Sequence, residues 1–205
     1  MNFVKPEIMI KLKEATKVWH DRLEAHPRST VLMRPDVNVS NYIDILARSY
    51  GFYRPLEAQL MALEWDGDGF DYRSRLKHPS LEADLKAYGL SDADIAALPV
   101  CDDVPQVKSM RHAAGILYVL EGATLGGQII KRHLGEVLGE KIHRAMAFYS
   151  SYGDRVGQMW HEFMTFAAKI AATESDHPEV LSAAIETFTS FEKWLSADLP
   201  EVAPV

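Results

Sequence analysis

The chain has 205 residues, 47% of them hydrophobic and 25% charged, enough to bury one substantial core within the size range of a single domain. A formal net charge of -7 argues against a general nucleic-acid binder, because such proteins need excess Lys and Arg to displace counterions from phosphate. Cys101 is the only cysteine, which excludes an intramolecular disulfide and a thiolate metal cluster and fits a reducing compartment.

The opening stretch MNFVKPEIMIKLKEATKVW lacks the apolar core and small-residue cleavage site of a secretory signal, and no run of about 18 apolar residues follows, so a soluble, cytoplasmic protein with no membrane partner is expected. Apolar residues recur with a period near 3.6 almost throughout. A first helix is predicted over 6–26, with Ile8, Leu12, Ala15, Trp19 and Leu23 on one face and the HPRS turn at its end. A second runs over about 40–64, with Ser40 as N-cap and WDGDG as its stop. Shorter helices are expected at 71–77, 80–88 and 91–97, and long ones at 106–138, 153–173 and 178–196. With no repeat or interdomain linker, the expectation is an all-α fold in one domain spanning 1–205, with a short tail at about 197–205.

The stretch GATLGG, residues 122–127, interrupts an otherwise good helix, YVLEGATLGGQIIKRHL, with glycines that each cost a helix interior about 1 kcal/mol relative to alanine. On a helical wheel Gly115, Gly122 and Gly126 fall within about 40° of one another, with Gly127 beside them. One side of the helix is therefore bare for two to three turns, and a bend near 122–127 is expected. Two occupants fit a bare stripe: a second helix crossing closely, or a flat ligand.

In LKEATKVWHDRLE, residues 12–24, Lys13, Lys17, His20 and Glu24 share a stripe, with His20 at its edge beside Trp19 and Leu23. Such spacing suits a solvated polar face with Glu24 paired to His20 or Arg22. On spacing alone that is the commoner arrangement; the sharper reading is a metal site in which one ring nitrogen of His20 binds the metal and Glu24 accepts from the other. Trp160, Phe163, Met164 and Phe166, like Phe188, Phe191 and Trp194, have the spacing of core positions. His112, His133, His143 and His161 show no spacing that singles them out, and Cys101 has no activating neighbour in sequence.

Together the two stretches resemble the haem oxygenases, in particular bacterial biliverdin-producing ones that occur beside bacteriophytochromes. LKEATKVWHDRLE is similar to the proximal helix that supplies the axial iron ligand, and YVLEGATLGGQII to the glycine-rich distal helix that kinks over the haem. Their order, their separation of about one hundred residues and the all-helical size match, so the resemblance covers most of the chain. It implies His20 as the proximal iron ligand, Glu24 as the acceptor behind it, and Gly122, Gly126 and Gly127 as the distal wall. Lys13 and Lys17 become candidates for the propionate edge, and Tyr53, in YGFYRPLE, for the distal polar network.

One position departs from the pattern. Many members of the family carry an aspartate directly after the first distal glycine, where it orders waters; here that residue is Ala123. Helical geometry points the neighbouring Glu121 elsewhere. The implied reaction is oxidative opening of b-type haem, both cofactor and substrate, by O2 to biliverdin, CO and ferrous iron. Electrons come from an external donor, a ferredoxin or flavoprotein reductase, since the chain has no GxGxxG or other flavin or nicotinamide signature; a phytochrome is a candidate acceptor of the biliverdin. Two alternatives stay open at this stage. Ala123 permits a protein that carries or senses haem without degrading it. The pairs EKIH at 140–143 and ESDH at 174–177 give a minor di-iron bundle alternative, weakened because His177 precedes Pro178 and the first pair adjoins Gly139.

Overall fold

The structure is a computed structural model that describes residues 5–65, 69–139, 142, 145–200 and 202, among which there is no strand. Eight α-helices follow in order: α1 (Glu7–Glu24), α2 (Pro27–Thr30), α3 (Val39–Met61), α4 (His78–Ala87), α5 (Asp92–Ala96), α6 (Met110–Leu138), α7 (Val156–Ile170) and α8 (His177–Ser196). The expected all-α architecture is present. The boundaries move where polar side chains capture backbone N–H groups. Asn38, not Ser40, caps α3 through a reciprocal box with Asn41. His26 accepts from Arg28 N and starts α2 where a turn was expected. The helix expected from 106 begins at Met110, because Ser109 accepts from the N–H groups of Arg111 and His112. Of the helix expected over 71–77 only a 3-10 turn, Arg73–Arg75, forms; beyond it the buried Glu57 carboxylate accepts the N–H groups of Lys77 and His78 and starts α4 instead.

Helix α3 contains Pro55, which lacks the N–H that would bond the carbonyl of Gly51. That carbonyl accepts from Cys101 N at 2.9 Å. A Cβ on Gly51 would lie 2.3 Å from the carbonyl oxygen of Pro99, so proline and glycine together seat the loop before α6 on α3.

The core is organised by α8. Both α6 and α1 pack along it, while α1 and α6 scarcely touch each other. The first half of α1 is buried through Ile8, Met9, Leu12 and Thr16, whereas Trp19 and Leu23 are only partly covered. The wedge between α1 and α6 is left open near those residues.

Helix α6 is one uninterrupted α-helix across all its glycines, and the stripe seen on the wheel has two different occupants. A Cβ on Gly115 would lie 2.2 Å from Val180 O and 2.8 Å from Ala183 Cβ, which marks a close crossing with α8. A Cβ on Gly126 would meet nothing within 4 Å, and one on Gly122 only the Trp160 ring at 3.9 Å. The grouping of Gly115 with Gly122 and Gly126 is thus corrected: the helices converge at 115 and diverge by 126. By length and composition α6 would suffice to cross a membrane, but half of the relevant stretch is buried inside the protein.

On its opposite face α6 carries Glu121, 1% exposed, in the middle of a buried charge cluster. Arg75 Nη1 donates to Glu121 Oε2 at 2.8 Å and Lys77 Nζ to Glu121 Oε1 at 3.1 Å. Tyr152 Oη donates to Glu121 Oε1 at 2.7 Å and accepts from Lys77 Nζ at 2.6 Å. Arg75 also reaches Glu162 on α7 at 2.8 Å. Burial pushes the Lys77 ammonium down in pKa, opposed by Glu121, and pushes the Tyr152 phenol up.

Two stability tests follow. Gly115→Ala should destabilise the protein by about 1–3 kcal/mol in denaturant titration despite alanine's better helix propensity, because α8 must move to admit the methyl group. Glu121→Ala should cost about 3–5 kcal/mol, since it leaves two buried cations without their shared carboxylate; a loss below about 1 kcal/mol would contradict the burial assigned to the cluster.

Candidate functional site

The wedge between α1 and α6 is a cavity of about 420 Å³, within the roughly 300–1,000 Å³ range of small-molecule sites. One wall is the C-terminal end of α1, with His20, Leu23 and Glu24. The facing wall is α6 from Tyr118 to Ile130, including Gly122, Ala123, Gly126 and Gly127. Phe188, Phe191 and Leu195 of α8 and Phe52 and Tyr53 of α3 close the interior. The lining is apolar and aromatic, and among the described residues it includes no Lys or Arg.

His20 is about half exposed, its Nδ1 is 3.7 Å from Glu24 Oε2, and its ring meets Phe188 edge-on at 6.0 Å. The expected pairing along α1 is therefore present at salt-bridge distance. Asp21 adjoins this pair, but its carboxylate receives Lys17 Nζ at 2.5 Å. Neither Lys17 nor Lys13 lines the cavity; both stand on exposed positions of α1. Tyr53 does line it, buried, with burial and then Glu57 raising its phenol pKa. Gly127 is tighter than Gly126: a Cβ there would be 3.2 Å from the Tyr149 ring. Glu121 points away from the cavity, as helical geometry requires.

Several side chains that shape the site carry no motif. Asp84 on α4, 1% exposed, accepts Ala147 N at 2.7 Å and Phe148 N at 2.9 Å, and so holds Phe148 and Tyr149 in the cavity wall. Burial raises its pKa while those two bonds pull the other way. Tyr42 Oη secures the same loop through Ala145 O at 3.0 Å. The available signal was a carboxylate on an apolar helix face, between Leu81 and Leu85. Glu121 gave the same signal within YVLEGATL. Trp160, expected in the core, is half-buried and lines the cavity, as do Phe188 and Phe191. Of the histidines set aside, His112 pairs with Glu179 at 2.8 Å and His133 with Arg34 O at 3.1 Å. His177 shares a hydrogen bond with Lys11 at 3.1 Å. Glu140, Lys141 and His143 of the EKIH pair lie outside the described residues.

An imidazole on one wall of an apolar cavity, with glycine backbone on the other, offers the donor set that a haem requires: one nitrogen for iron, and apolar faces for the macrocycle. The space a Cβ of Gly126 would enter belongs to that cavity.

Comparison with known proteins points the same way. The family model described as "Heme oxygenase" matches residues 7–197. A heme oxygenase from Xanthomonas campestris pv. campestris is 28% identical over 167 residues, covering 79% of this chain and 93% of that protein. Among solved structures, the heme oxygenase of Leptospira interrogans superposes with a TM-score of 0.72 at 18% identity, covering 92% of this chain and 98% of the other. That of Neisseria meningitidis, solved with NO and CO bound, gives 0.71 at 21% identity, covering 97% and 98%. With the family model spanning α1 to the end of α8, the chain belongs to the heme oxygenase family, oxidoreductases that degrade haem.

Proposed function

We propose that the α1–α6 cavity binds b-type haem with His20 as the axial iron ligand, and that the protein opens the macrocycle to biliverdin, CO and ferrous iron. The observation that carries this reading is the pairing of His20 with the open backbone of Gly126 across one apolar cavity. Bound haem supplies the iron at which O2 is reduced and the meso carbon that is attacked.

The chain's own residues perform the rest. His20 presents a ring nitrogen to the cavity, and Glu24, 3.7 Å from Nδ1, favours the tautomer with its proton on Nδ1. Phe188 meets the ring edge-on and restricts its rotation. Gly122 and Gly126 leave the opposite side clear for a diatomic ligand, while Gly127, close under Tyr149, sets how near the helix stands to the wall. The aromatic lining excludes water. Tyr53 places a phenol hydroxyl in the distal wall as its polar group. With no cation among the described lining residues, the carboxylate edge of the ligand faces the mouth, where Lys13 and Lys17 on the exposed side of α1 are the candidate partners, Lys17 standing in an ion pair with Asp21. The electron donor is a separate ferredoxin or flavoprotein reductase, and a phytochrome is a fitting acceptor for the product.

The purified protein mixed with haemin, O2 and ascorbate or a reductase should lose its Soret band and gain the broad red band of biliverdin; persistence of the Soret band under turnover conditions would leave haem binding without degradation. His20→Ala should fold normally, since the side chain is about half exposed. Its turnover should collapse, with partial rescue by imidazole, and an unchanged rate and spectrum would rule out His20 as ligand. Gly126→Ala should stabilise the apoprotein by about 1 kcal/mol, there being nothing for the methyl group to strike. Gly126→Leu should leave apo stability intact yet weaken haem binding or block turnover; normal affinity and turnover in a folded Leu variant would show that Gly126 does not face the ligand.

A further inference from the structure

Three metal-ligating side chains meet on the last two turns of α1. A ring nitrogen of His20, a carboxylate oxygen of Asp21 and one of Glu24 all lie within 4.8 Å of one another. The sequence itself sets this: Glu24 stands at i+4 from His20 and at i+3 from Asp21, the two spacings at which side chains on a helix meet. His20 Nδ1 is already 3.7 Å from Glu24 Oε2. Ligands held at about 2.0–2.2 Å from one ion stand roughly 3–3.5 Å from each other, so small rotations of these exposed side chains close the set over an ion. Lys17 Nζ pairs with Asp21 Oδ2, but the pair uses only one of the two carboxylate oxygens, both partners are more than half exposed, and surface pairs of that kind are weak. A nitrogen with two carboxylate oxygens is a donor set for zinc or ferrous iron, whereas magnesium and calcium take oxygen ligands.

The imidazole cannot serve such an ion and haem together. Neutral imidazole has one proton and one lone pair on its two nitrogens. When Nε2 is the ligand to haem iron, the proton sits on Nδ1 and is donated to Glu24; an ion on Nδ1 sends the proton to Nε2, which then has no lone pair for haem. We propose that His20 Nδ1, Asp21 and Glu24 form a second metal site, for a free divalent transition-metal ion, and that its occupation and the ligation of haem by His20 exclude each other through the position of this one proton. Ferrous iron set free from the macrocycle is itself an ion for this site, so accumulated product holds off ligation of the next haem. That feedback rests on the haem reading; the metal site does not.

The test begins with the full-length protein without haem, using Zn2+ as the probe and Fe2+ in an anaerobic repeat. Calorimetry should show binding that an excess of Mg2+ does not displace, and nitrogen NMR of the histidine rings should place the metal on His20 Nδ1 and the proton on Nε2. Asp21→Asn and Glu24→Gln should each weaken binding at His20 by about tenfold or more. Haemin is then added. Zinc-loaded wild type should give the absorbance spectrum of His20→Ala with haemin, while Asp21→Asn, whose altered side chain does not line the cavity, should keep the wild-type haemin spectrum at the same zinc concentration. Zinc that is absent from His20, that is held through Nε2, that binds undiminished in Asp21→Asn, or that leaves the wild-type haemin spectrum unchanged overturns the proposal. A zinc-free wild type that gains no Soret band with haemin sinks the haem reading instead, and calorimetry and NMR then decide the α1 site by themselves.

Discussion

The rest of the molecule depends on how closely α6 and α8 cross at Gly115. Where a Cβ would stand 2.2 Å from the Val180 carbonyl, only hydrogen fits, and the two helices are pinned backbone to backbone at one point. Straight helices that meet closely at one point must separate on either side of it, since packed helix axes keep a crossing angle set by their surface ridges. From Gly115 to Gly126 is eleven residues, about 16 Å of rise, over which the clearance for a Cβ beside α6 goes from 2.2 Å to more than 4 Å. The helix α1 fills the far side of that gap because it too packs on α8, not on α6.

A helix left bare on one face needs support from the other. Glu121, Arg75, Lys77, Tyr152 and Glu162 tie α6 to α7, to the 3-10 turn before α4 and to the loop before α7. Tyr152 has φ 66°, the only described non-glycine residue with a positive φ, and its hydroxyl closes the cluster with Lys77 and Glu121. Strain of that kind, of order 1–3 kcal/mol, persists only where surrounding contacts over-determine the backbone. Asp84 secures the same loop from the α4 side. The α6 wall of the cavity is therefore held from its buried side by Arg75, Lys77 and Tyr152, with Gly122 and Gly126 on the cavity side.

Much of this was legible in the sequence. The 3.6-residue period specified an all-helical protein because burial on one face imposes that period on any amphipathic helix. The i, i+4 spacing of His20 and Glu24 put both on one face of α1, and local geometry alone brings them within 3.7 Å. The cost of Gly122, Gly126 and Gly127 in a helix marked a stretch of bared backbone, and the match of both stretches to one family gave the family. What a local pattern carries, a sequence shows.

The tertiary structure alone decided the remainder, because it turns on residues far apart in the chain. Gly115 and Gly126 are alike on the wheel, and only the position of α8 makes one a crossing point and the other an open wall. Boundaries shifted where a distant carboxylate, Glu57, captured the amides that begin α4, and the Gly51 carbonyl freed by Pro55 found the Cys101 amide 50 residues away. Glu121 and Asp84 read locally as single carboxylates on apolar faces; their roles exist only once Arg75, Lys77 and the amides of Ala147 and Phe148 are brought to them.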